Sequence, residues 1–262
     1  MPTTSAREIH LVPLVDLDVE SQLKVREIRN EDDVRGATFT DHVIGVNEHL
    51  DWIRALKSDE SKIVFAVLDH DRVPLGATSV SGIDRRHRKA DWGFYLTAGE
   101  RGGLGSAILY ELICFVFDAL GMEKLNCEVV AGNDSAAALY RKIMFQEEGF
   151  RRSNVMKQGA RIGVRMLGLT KDEWAAGRAH LRERLGPVLA RFSVSIHWPP
   201  PAKAEGGDTL DRIEAARARN NLNWMGILRL ALEKSPENAK AIVSEIRRID
   251  REISELTQKL IT

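Results

Sequence analysis

The sequence has few cysteines and no long hydrophobic run, and each absence excludes a class of protein. Only Cys114 and Cys127 occur in 262 residues, inside a predicted helix and a predicted strand. This placement indicates buried thiols in a reducing compartment and argues against a disulfide or a metal pair. No apolar stretch reaches the roughly 18 residues of a membrane-spanning helix. The N-terminus lacks the charged and apolar regions of a secretory signal, so we expect a cytoplasmic protein.

The chain also lacks an excess of charge of either sign. Lys and Arg total 38, and Asp and Glu total 38, which gives a formal net charge of zero. Because nucleic-acid binding calls for a basic excess or patch, nucleic acid is not expected to be the main partner. The histidines show no spacing typical of metal ligands, so no metal site is expected.

A glycine turn between a predicted strand and a predicted helix is the most informative motif. Residues 91–96 alternate like a strand, residues 103–106 read Gly-Leu-Gly-Ser, and an apolar helix is predicted over 107–120. Glycine allows a ligand to approach the backbone closely. The N–H groups and the dipole at a helix N-terminus favour an anion. The turn therefore predicts a cradle for a phosphate group.

A second segment, residues 133–145, strengthens this interpretation, because together with the turn it resembles the GCN5-related (GNAT) N-acetyltransferases. The family segment has the form Asn-x-x-Ala-x-x-Leu-Tyr-x-Lys-x-Gly-Phe. The residues in register are Asn133, Ala136, Leu139, Tyr140, Lys142 and Phe145. Two positions depart from the family, because Glu100 stands where Gln or Arg is usual before the turn, and Met144 replaces the Gly. We expect the Glu100 side chain to point away from the phosphates.

The resemblance implies an α/β fold with a mixed, mostly antiparallel sheet flanked by helices, and acetyl-CoA as the co-substrate without a metal. The glycine turn would hold the pyrophosphate, and strand residues 94–96 would offer backbone groups to the thioester and pantetheine arm. Asn133 would bond the pantetheine amide, or serve as a plain helix N-cap. The implied cofactor-binding residues are Phe94, Tyr95, Leu96, Arg101, Gly103, Leu104, Gly105, Ser106, Asn133 and Lys142.

Residues 23–170 also show a narrower resemblance. The runs 25–30, 48–52 and 90–95 are similar to the sugar-nucleotide N-acetyltransferases of pseudaminic acid biosynthesis, which serve surface glycan or flagellin modification. That likeness implies that the acceptor is the 4-amino group of a UDP-linked 4-amino-4,6-dideoxy sugar. The implied substrate-binding residues are Arg29, Asn30, His49 and Trp92, for which strand packing or surface charge is the alternative. The basic loop 84–89 would attract a diphosphate, or be an ordinary solvated loop.

Two side chains are candidates for the proton transfers. A phenol keeps its proton at neutral pH, so Tyr140 is the candidate acid for the departing thiolate, and a core tyrosine is the alternative. His49 has a pKa range suited to accepting a proton from the acceptor amine, and an exposed histidine at a helix start is the alternative. Glu48 orients His49 or simply suits the helix dipole.

Other functions on the same fold remain open. One is acetylation of a protein N-terminus or a polyamine, which predicts an acidic groove. Another is an inactive module that binds acetyl-CoA and recruits a partner. Direct attack of the amine on the thioester is expected, because no cysteine occupies a plausible nucleophile position.

Four regions are predicted along the chain. Residues 1–22 are a loose lead-in, 23–170 are the acetyltransferase domain with a first strand over 24–29, and 171–207 are a linking helix and a Pro/Gly linker. Residues 208–262 are predicted to be a helical hairpin. Apolar residues there repeat at the a and d spacing of a coiled coil, which predicts a homodimer or a partner-binding region.

Overall fold

Eight strands form one hydrogen-bonded sheet that carries the candidate site. The structure is a computed structural model that describes residues 6–100 and 102–198. The strands are β1 Arg7–Pro13, β2 Ile63–Leu68, β3 Pro74–Asp84, β4 Lys89–Leu96, β5 Lys124–Val130, β6 Gln146–Lys157, β7 Ala160–Thr170 and β8 Phe192–Ile196. Their order across the sheet is β6-β7-β5-β4-β3-β2-β1-β8. The pairs β4–β5 and β1–β8 are parallel, and the other five pairs are antiparallel. The predicted mixed, mostly antiparallel sheet is confirmed.

Helices cover both faces of this sheet. They are α1 Val19–Arg29, α2 Asp32–Ala37, α3 Val46–Leu56, α4 Leu104–Cys114, α5 Asp134–Lys142 and α6 Lys171–Leu189, with a π-helical segment at Phe115–Ala119 after α4. Strand β2 is buried throughout, and its side chains alternate between two clusters. Phe65 packs in the cluster that includes α4 and α6, whereas Ala66 packs in the cluster that includes α1 and α3. An apolar run without polar alternation is what a strand buried on both faces requires.

The prediction of a first strand over residues 24–29 is wrong, because these residues form the second half of α1. The Asp18 side chain accepts a hydrogen bond from the Ser21 N–H at 2.8 Å and caps the helix start. Gln22, Val25 and Ile28 are buried at a spacing of three residues, which matches one helix face. The short 24–29 window hid this periodicity.

The loose lead-in predicted for residues 1–22 is also corrected. Residues Arg7–Pro13 form β1, which lies inside the sheet between β2 and β8. After α6, strand β8 pairs in parallel with β1, Arg7 opposite Phe192. The sheet therefore extends beyond the predicted 23–170 domain at both ends.

Within the described residues, no helix is both long enough and apolar enough to cross a membrane. The predicted hairpin over 208–262, and the homodimer attributed to it, lie outside the described residues.

Candidate active site

The glycine turn has the geometry that a cradle for an anion needs. Gly102 and Gly103 have φ values of 81° and 102°, in the left-handed region that glycine adopts without strain. Helix α4 begins directly after them at Leu104. The first N–H groups of a helix have no partner within it, and those of α4 lie at the turn. Gly105 permits a close contact, because a Cβ there would lie 3.2 Å from the Phe94 ring.

The unusual acid before the turn is neutralised by an arginine of β1. Arg7 donates from Nη1 and Nη2 to the two carboxylate oxygens of Glu100, each at 2.8 Å. The Glu100 side chain is only 14% exposed in this pair. A bidentate pair of this kind fixes the carboxylate and offsets its charge. Arg101, a predicted cofactor contact, lies outside the described residues.

Strands β4 and β5 separate just where the cofactor arm is expected. They pair in parallel over three positions only, ending at Asp91 opposite Asn126. Both strands continue, β4 to Leu96 and β5 to Val130, without a further paired position. The edge of β4 from Trp92 to Leu96 is thus released from β5, and its backbone groups can meet a bound molecule.

A cavity of about 1090 Å³ lies at this separation. Its wall includes the start of α4, the released part of β4, α5, the ends of α1 and α2, and the loop from Thr38 to Ile44, here called the acceptor loop. The predicted residues that line it are Arg29, His49, Trp92, Phe94, Tyr95, Leu96, Gly105, Asn133 and Tyr140. The structure therefore brings most of the predicted site residues to one cavity.

Tyr140 lies in the cavity wall with its ring fixed. It is 5% exposed, and its ring lies 5.4 Å from that of Trp92 and 5.7 Å from that of Phe145, measured between centroids. Burial raises the pKa of the phenol well above its usual value near 10, and Cys127 acts in the same direction. The hydroxyl therefore keeps its proton and can donate a hydrogen bond to a negative atom nearby.

His49 is buried in α3 and is not the exposed residue of the alternative interpretation. It is 3% exposed, and its Nε2 lies 3.0 Å from the backbone oxygen of Gln22. Because a carbonyl oxygen only accepts, Nε2 carries the hydrogen and Nδ1 carries the lone pair. Burial is the main cause that lowers the pKa of His49, so the ring is neutral at neutral pH. Glu48 hydrogen-bonds His42 at 2.8 Å and the Gly45 N–H at 3.1 Å, which favours its helix-start role.

Arg29 is held in the cavity wall with donor capacity left over. Its Nη2 donates to the Thr40 oxygen at 3.0 Å, and its guanidinium lies 6.0 Å from the centre of the Tyr95 ring. Its Nη1 is buried and has no hydrogen-bond partner among the described residues. A buried donor without a partner is costly, and a ligand oxygen at this place would satisfy it.

Asn30 has a different role from the predicted phosphate contact. Its Oδ1 accepts from the Ile44 N–H at 2.9 Å, and its Nδ2 donates to the Ile44 oxygen at 3.0 Å. Both polar atoms are thus used to hold the acceptor loop, and Asn30 is absent from the cavity wall. The sequence could not reveal this, because the role depends on a backbone 14 positions away.

Trp92 is a buried wall residue, whereas Tyr95 in the same wall is half-buried. Trp92 is 4% exposed, and its ring stacks on Phe94 at 5.1 Å with an interplanar angle of 13°. A nucleotide base has no free Trp92 face to stack on, so the packing interpretation of this residue is favoured. Burial raises the pKa of the Tyr95 phenol, which Arg29 partly opposes.

Asn133, Lys142 and the basic loop 84–89 are expected from the sequence to contact the ligands, and the structure places them differently. Asn133 caps α5, since its Oδ1 accepts from the Ala136 N–H at 3.2 Å, although it also lines the cavity. Lys142 is exposed at the end of α5, outside the cavity wall. The basic loop 84–89 does not line the cavity either, so it gives no support for an anionic acceptor.

Sequence reasoning missed the cations that fix the acceptor loop. Arg26 donates to the Ile44 oxygen at 2.7 Å, and Arg35 donates to the Asp41 oxygen at 2.9 Å. Lys157, from the far end of β6, is 8% exposed and donates to the oxygens of Arg35 and Thr38. Their targets are backbone oxygens, which carry no signature in the sequence.

The two cysteines belong to no group of three or more metal-binding side chains within the described residues. Cys114 and Cys127 are both free, and burial is the main cause that raises the pKa of each thiol. Within residues 6–100 and 102–198, no group of three or more metal-binding side chains is found.

The chain is similar to known proteins named as N-acetyltransferases. The model of the acetyltransferase (GNAT) domain matches residues 8–146. The chain is 25% identical over 166 residues to the uncharacterized prophage-derived N-acetyltransferase YokL of Bacillus subtilis, which covers 58% of this chain and 92% of that protein. It is 27% identical over 122 residues to the uncharacterized N-acetyltransferase p20 of Bacillus licheniformis, which covers 46% of this chain and 68% of that protein.

Among solved structures, the fold is similar to spermidine N-acetyltransferase of Vibrio cholerae in complex with CoA and spermine. The TM-score is 0.59 at 17% identity, over 64% of this chain and 98% of that chain. At this identity the likeness shows the fold alone.

Proposed function

Because the chain belongs to the GNAT acetyltransferase family, we propose that it transfers an acetyl group from acetyl-CoA to the 4-amino group of a UDP-linked 4-amino-4,6-dideoxy sugar. The main support for a phosphate-bearing acceptor comes from Arg29. Its side chain lines the cavity, and its buried Nη1 has no hydrogen-bond partner among the described residues. Guanidinium groups bind phosphate and other oxygen-rich groups with high geometric specificity. A sugar diphosphate offers such oxygens.

The residues of this chain fit acetyl-CoA at the other side of the cavity. The turn at Gly102 and Gly103 and the start of α4 would hold the pyrophosphate, and the released edge of β4 would hold the pantetheine arm. When bound, acetyl-CoA supplies the activated acetyl group and a thiolate leaving group. Phe94 packs against Gly105 in the cavity wall.

Two side chains of the cavity would handle protons. The acceptor would lose its ammonium proton to solvent and attack as the free amine. Neutral His49 would then accept at Nδ1, directly or through water, the proton that the nitrogen loses as the amide forms, while Nε2 stays on Gln22. Tyr140 would stabilise the departing thiolate as a hydrogen-bond donor. Because burial raises its pKa, Tyr140 is suited to sharing its proton more than to giving it up.

A second candidate is acetylation of a polyamine or of a protein N-terminus. It is favoured by five carboxylates in the cavity wall, those of Asp33, Glu48, Asp91, Glu100 and Glu128. Two of these five charges are offset by arginines: Glu100 binds Arg7 and Glu128 binds Arg151. The guanidinium of Arg29 opposes a cationic acceptor, so this candidate ranks second.

Thiol release from acetyl-CoA, followed together with product mass, tests the proposal. Purified enzyme would be supplied with isomers of UDP-4-amino-4,6-dideoxy-hexose, with spermidine, and with a peptide bearing a free N-terminus. Release that depends on the sugar nucleotide, with one added acetyl group, supports the proposal. Release with spermidine or the peptide alone would move the function to the second candidate. Acetyl-CoA binding without release from any of them would favour a binding module.

A matched pair of variants sharpens the acceptor test. Arg29→Met should raise the KM of the sugar nucleotide, because the unpartnered Nη1 donor is removed. Arg54→Met removes an exposed arginine of α3 that pairs with Asp51 and should leave that KM unchanged. If Arg29→Met instead improves turnover of spermidine and leaves the sugar KM unchanged, the anionic acceptor is excluded.

A further inference from the structure

The segment after the family match reaches back to the glycine turn. The family model ends at residue 146, whereas α6 and β8 follow over 171–189 and 192–196. The end of α6 packs directly on the turn, because a Cβ on Gly103 would lie 2.4 Å from Cγ1 of Val188. The turn and the end of α6 therefore pack so closely that no space is left for a side chain at position 103.

Arg191 places a guanidinium at the same turn. It lies between α6 and β8, and its Nη1 donates to the Gly102 oxygen at 2.9 Å. The guanidinium carbon lies 5.7 Å from the centre of the Phe192 ring, a cation–π arrangement that limits its freedom. An arginine has five N–H donors, so one bond to Gly102 leaves most of them for a ligand.

The Glu100 carboxylate beside the turn is unfavourable for binding a phosphate, and an additional arginine would offset it. Glu100 places a carboxylate where the family resemblance leads us to expect Gln or Arg, and Arg7 only neutralises it. Arg191 lies beside Arg7, since the Arg7 N–H donates to the Arg191 oxygen at 2.8 Å. Arg7, the first residue of β1, and Arg191, the residue just before β8, thus place two guanidinium groups at the turn. That of Arg7 binds Glu100, and that of Arg191 binds the Gly102 oxygen.

We propose that Arg191 binds a phosphate of acetyl-CoA and replaces the favourable side chain that Glu100 has displaced. This inference rests on the acetyl-CoA part of the proposed function, and it assigns a cofactor contact to a residue outside the family match. It makes the α6–β8 segment part of the cofactor site. The alternative is that Arg191 only holds the turn in place through Gly102. It would then stabilise the fold, and its loss would affect ligands with and without phosphate equally.

Binding of CoA and of S-acetylpantetheine, which has no phosphate, tests the assignment by calorimetry without any acceptor. Arg191→Ala should weaken CoA binding about 10-fold or more, as the loss of a charge-assisted hydrogen bond predicts, and should leave S-acetylpantetheine binding unchanged. The CoA affinity of the wild type should also fall more steeply with salt than that of the variant. Arg191→Lys should restore part of the affinity, because lysine keeps the positive charge but lacks the paired N–H donors of a guanidinium.

Arg178→Ala is the matched control, because Arg178 is exposed on α6 about three helical turns before its end and pairs with Asp118. It should bind CoA like the wild type. Equal losses of both ligands in Arg191→Ala would make Arg191 a structural residue and overturn the proposal, as would unchanged CoA affinity. A wild-type chain that does not bind CoA at all would overturn the cofactor assignment itself.

Discussion

Lys157 donates from Nζ to the backbone oxygen of Arg35 at 2.6 Å, which joins two residues 122 positions apart. The same ammonium also reaches the Thr38 oxygen at the start of the acceptor loop. Burial lowers the pKa of Lys157, and Asp41 acts against this shift. The end of β6 therefore holds the acceptor side of the cavity in place.

Replacing Lys157 should affect the acceptor and spare the cofactor. Lys157→Met keeps most of the side-chain length and removes the donor, so the KM of the acceptor should rise about 10-fold, the loss expected for hydrogen bonds from a charged group. The dissociation constant of acetyl-CoA should not change. Steady-state kinetics and calorimetry measure the two quantities. Lys24→Met, at an exposed lysine of α1, is the control. A parallel loss of acetyl-CoA affinity would contradict this division of the site.

Arg7 and Glu100 should be coupled in cofactor binding. Arg7→Ala leaves the Glu100 carboxylate without its partner near the turn, so CoA affinity should fall about 10-fold. Glu100→Gln removes that charge and should recover the affinity in the double variant. Calorimetric dissociation constants of the four proteins form a double-mutant cycle. Additive effects would mean that the pair does not act on the cofactor.

Tyr140→Phe should separate chemistry from binding. The ring contacts with Trp92 and Phe145 remain, and only the hydroxyl is lost. The kcat should fall about 100-fold, the lower range for a positioned proton donor, with unchanged affinity for acetyl-CoA. Tyr110→Phe is the matched control, because Tyr110 is also buried but packs on Trp174 outside the cavity wall. Equal activity losses in both variants would indicate a general packing effect.

His49 should govern one limb of the pH profile. Its lowered pKa lies below 6.5, so the base form is present at neutral pH and is lost as the pH falls through that pKa. Below it, log kcat/KM for the acceptor should have a slope of about two, one proton from His49 and one from the amine. His49→Gln should reduce the slope to about one and lower kcat. His70→Gln, on an exposed turn, should keep the wild-type profile. An unchanged slope in His49→Gln would remove His49 from catalysis.

The same histidine should also affect stability. Between its lowered folded pKa and the ordinary value of 6.5, the unfolded chain binds more protons than the folded chain. The free energy of unfolding should therefore decrease as the pH falls through about 6.5, and His49→Gln should reduce this dependence. Denaturant midpoints measured at several pH values check the sign. A variant that loses as much stability as the wild type over this range would assign the dependence to other groups.

Local patterns in the sequence predicted the glycine turn and its neighbourhood well. The strand over 91–96 and the turn depend on residues close in sequence, so spacing sufficed for them. Helix α4, in contrast, begins at Leu104, three residues before the predicted start. Helix α1 was mistaken for a strand, because its buried residues Gln22, Val25 and Ile28 become periodic only over a longer window. Strand β1 is not predicted by the local sequence, because it pairs with β8, which lies at the other end of the described chain.

The acceptor side was harder to predict for a related reason. Arg29 was selected as a substrate contact, and the structure places it in the cavity wall. Asn30 was selected with it, although its two polar atoms hold Ile44. Neighbours in sequence at the end of a helix point in different directions, and which of them faces the cavity depends on the loop packed against them.

The pairing of β1 with β8 has a consequence for how the protein matures during synthesis. His10 and Ser195 meet across this pair from 185 positions apart. Contacts of such long range form late, because the intervening chain must first be made and ordered. The glycine turn can therefore be built well before Arg191 leaves the ribosome. A chain halted before that residue would therefore lack both β8 and the phosphate contact that we propose for Arg191.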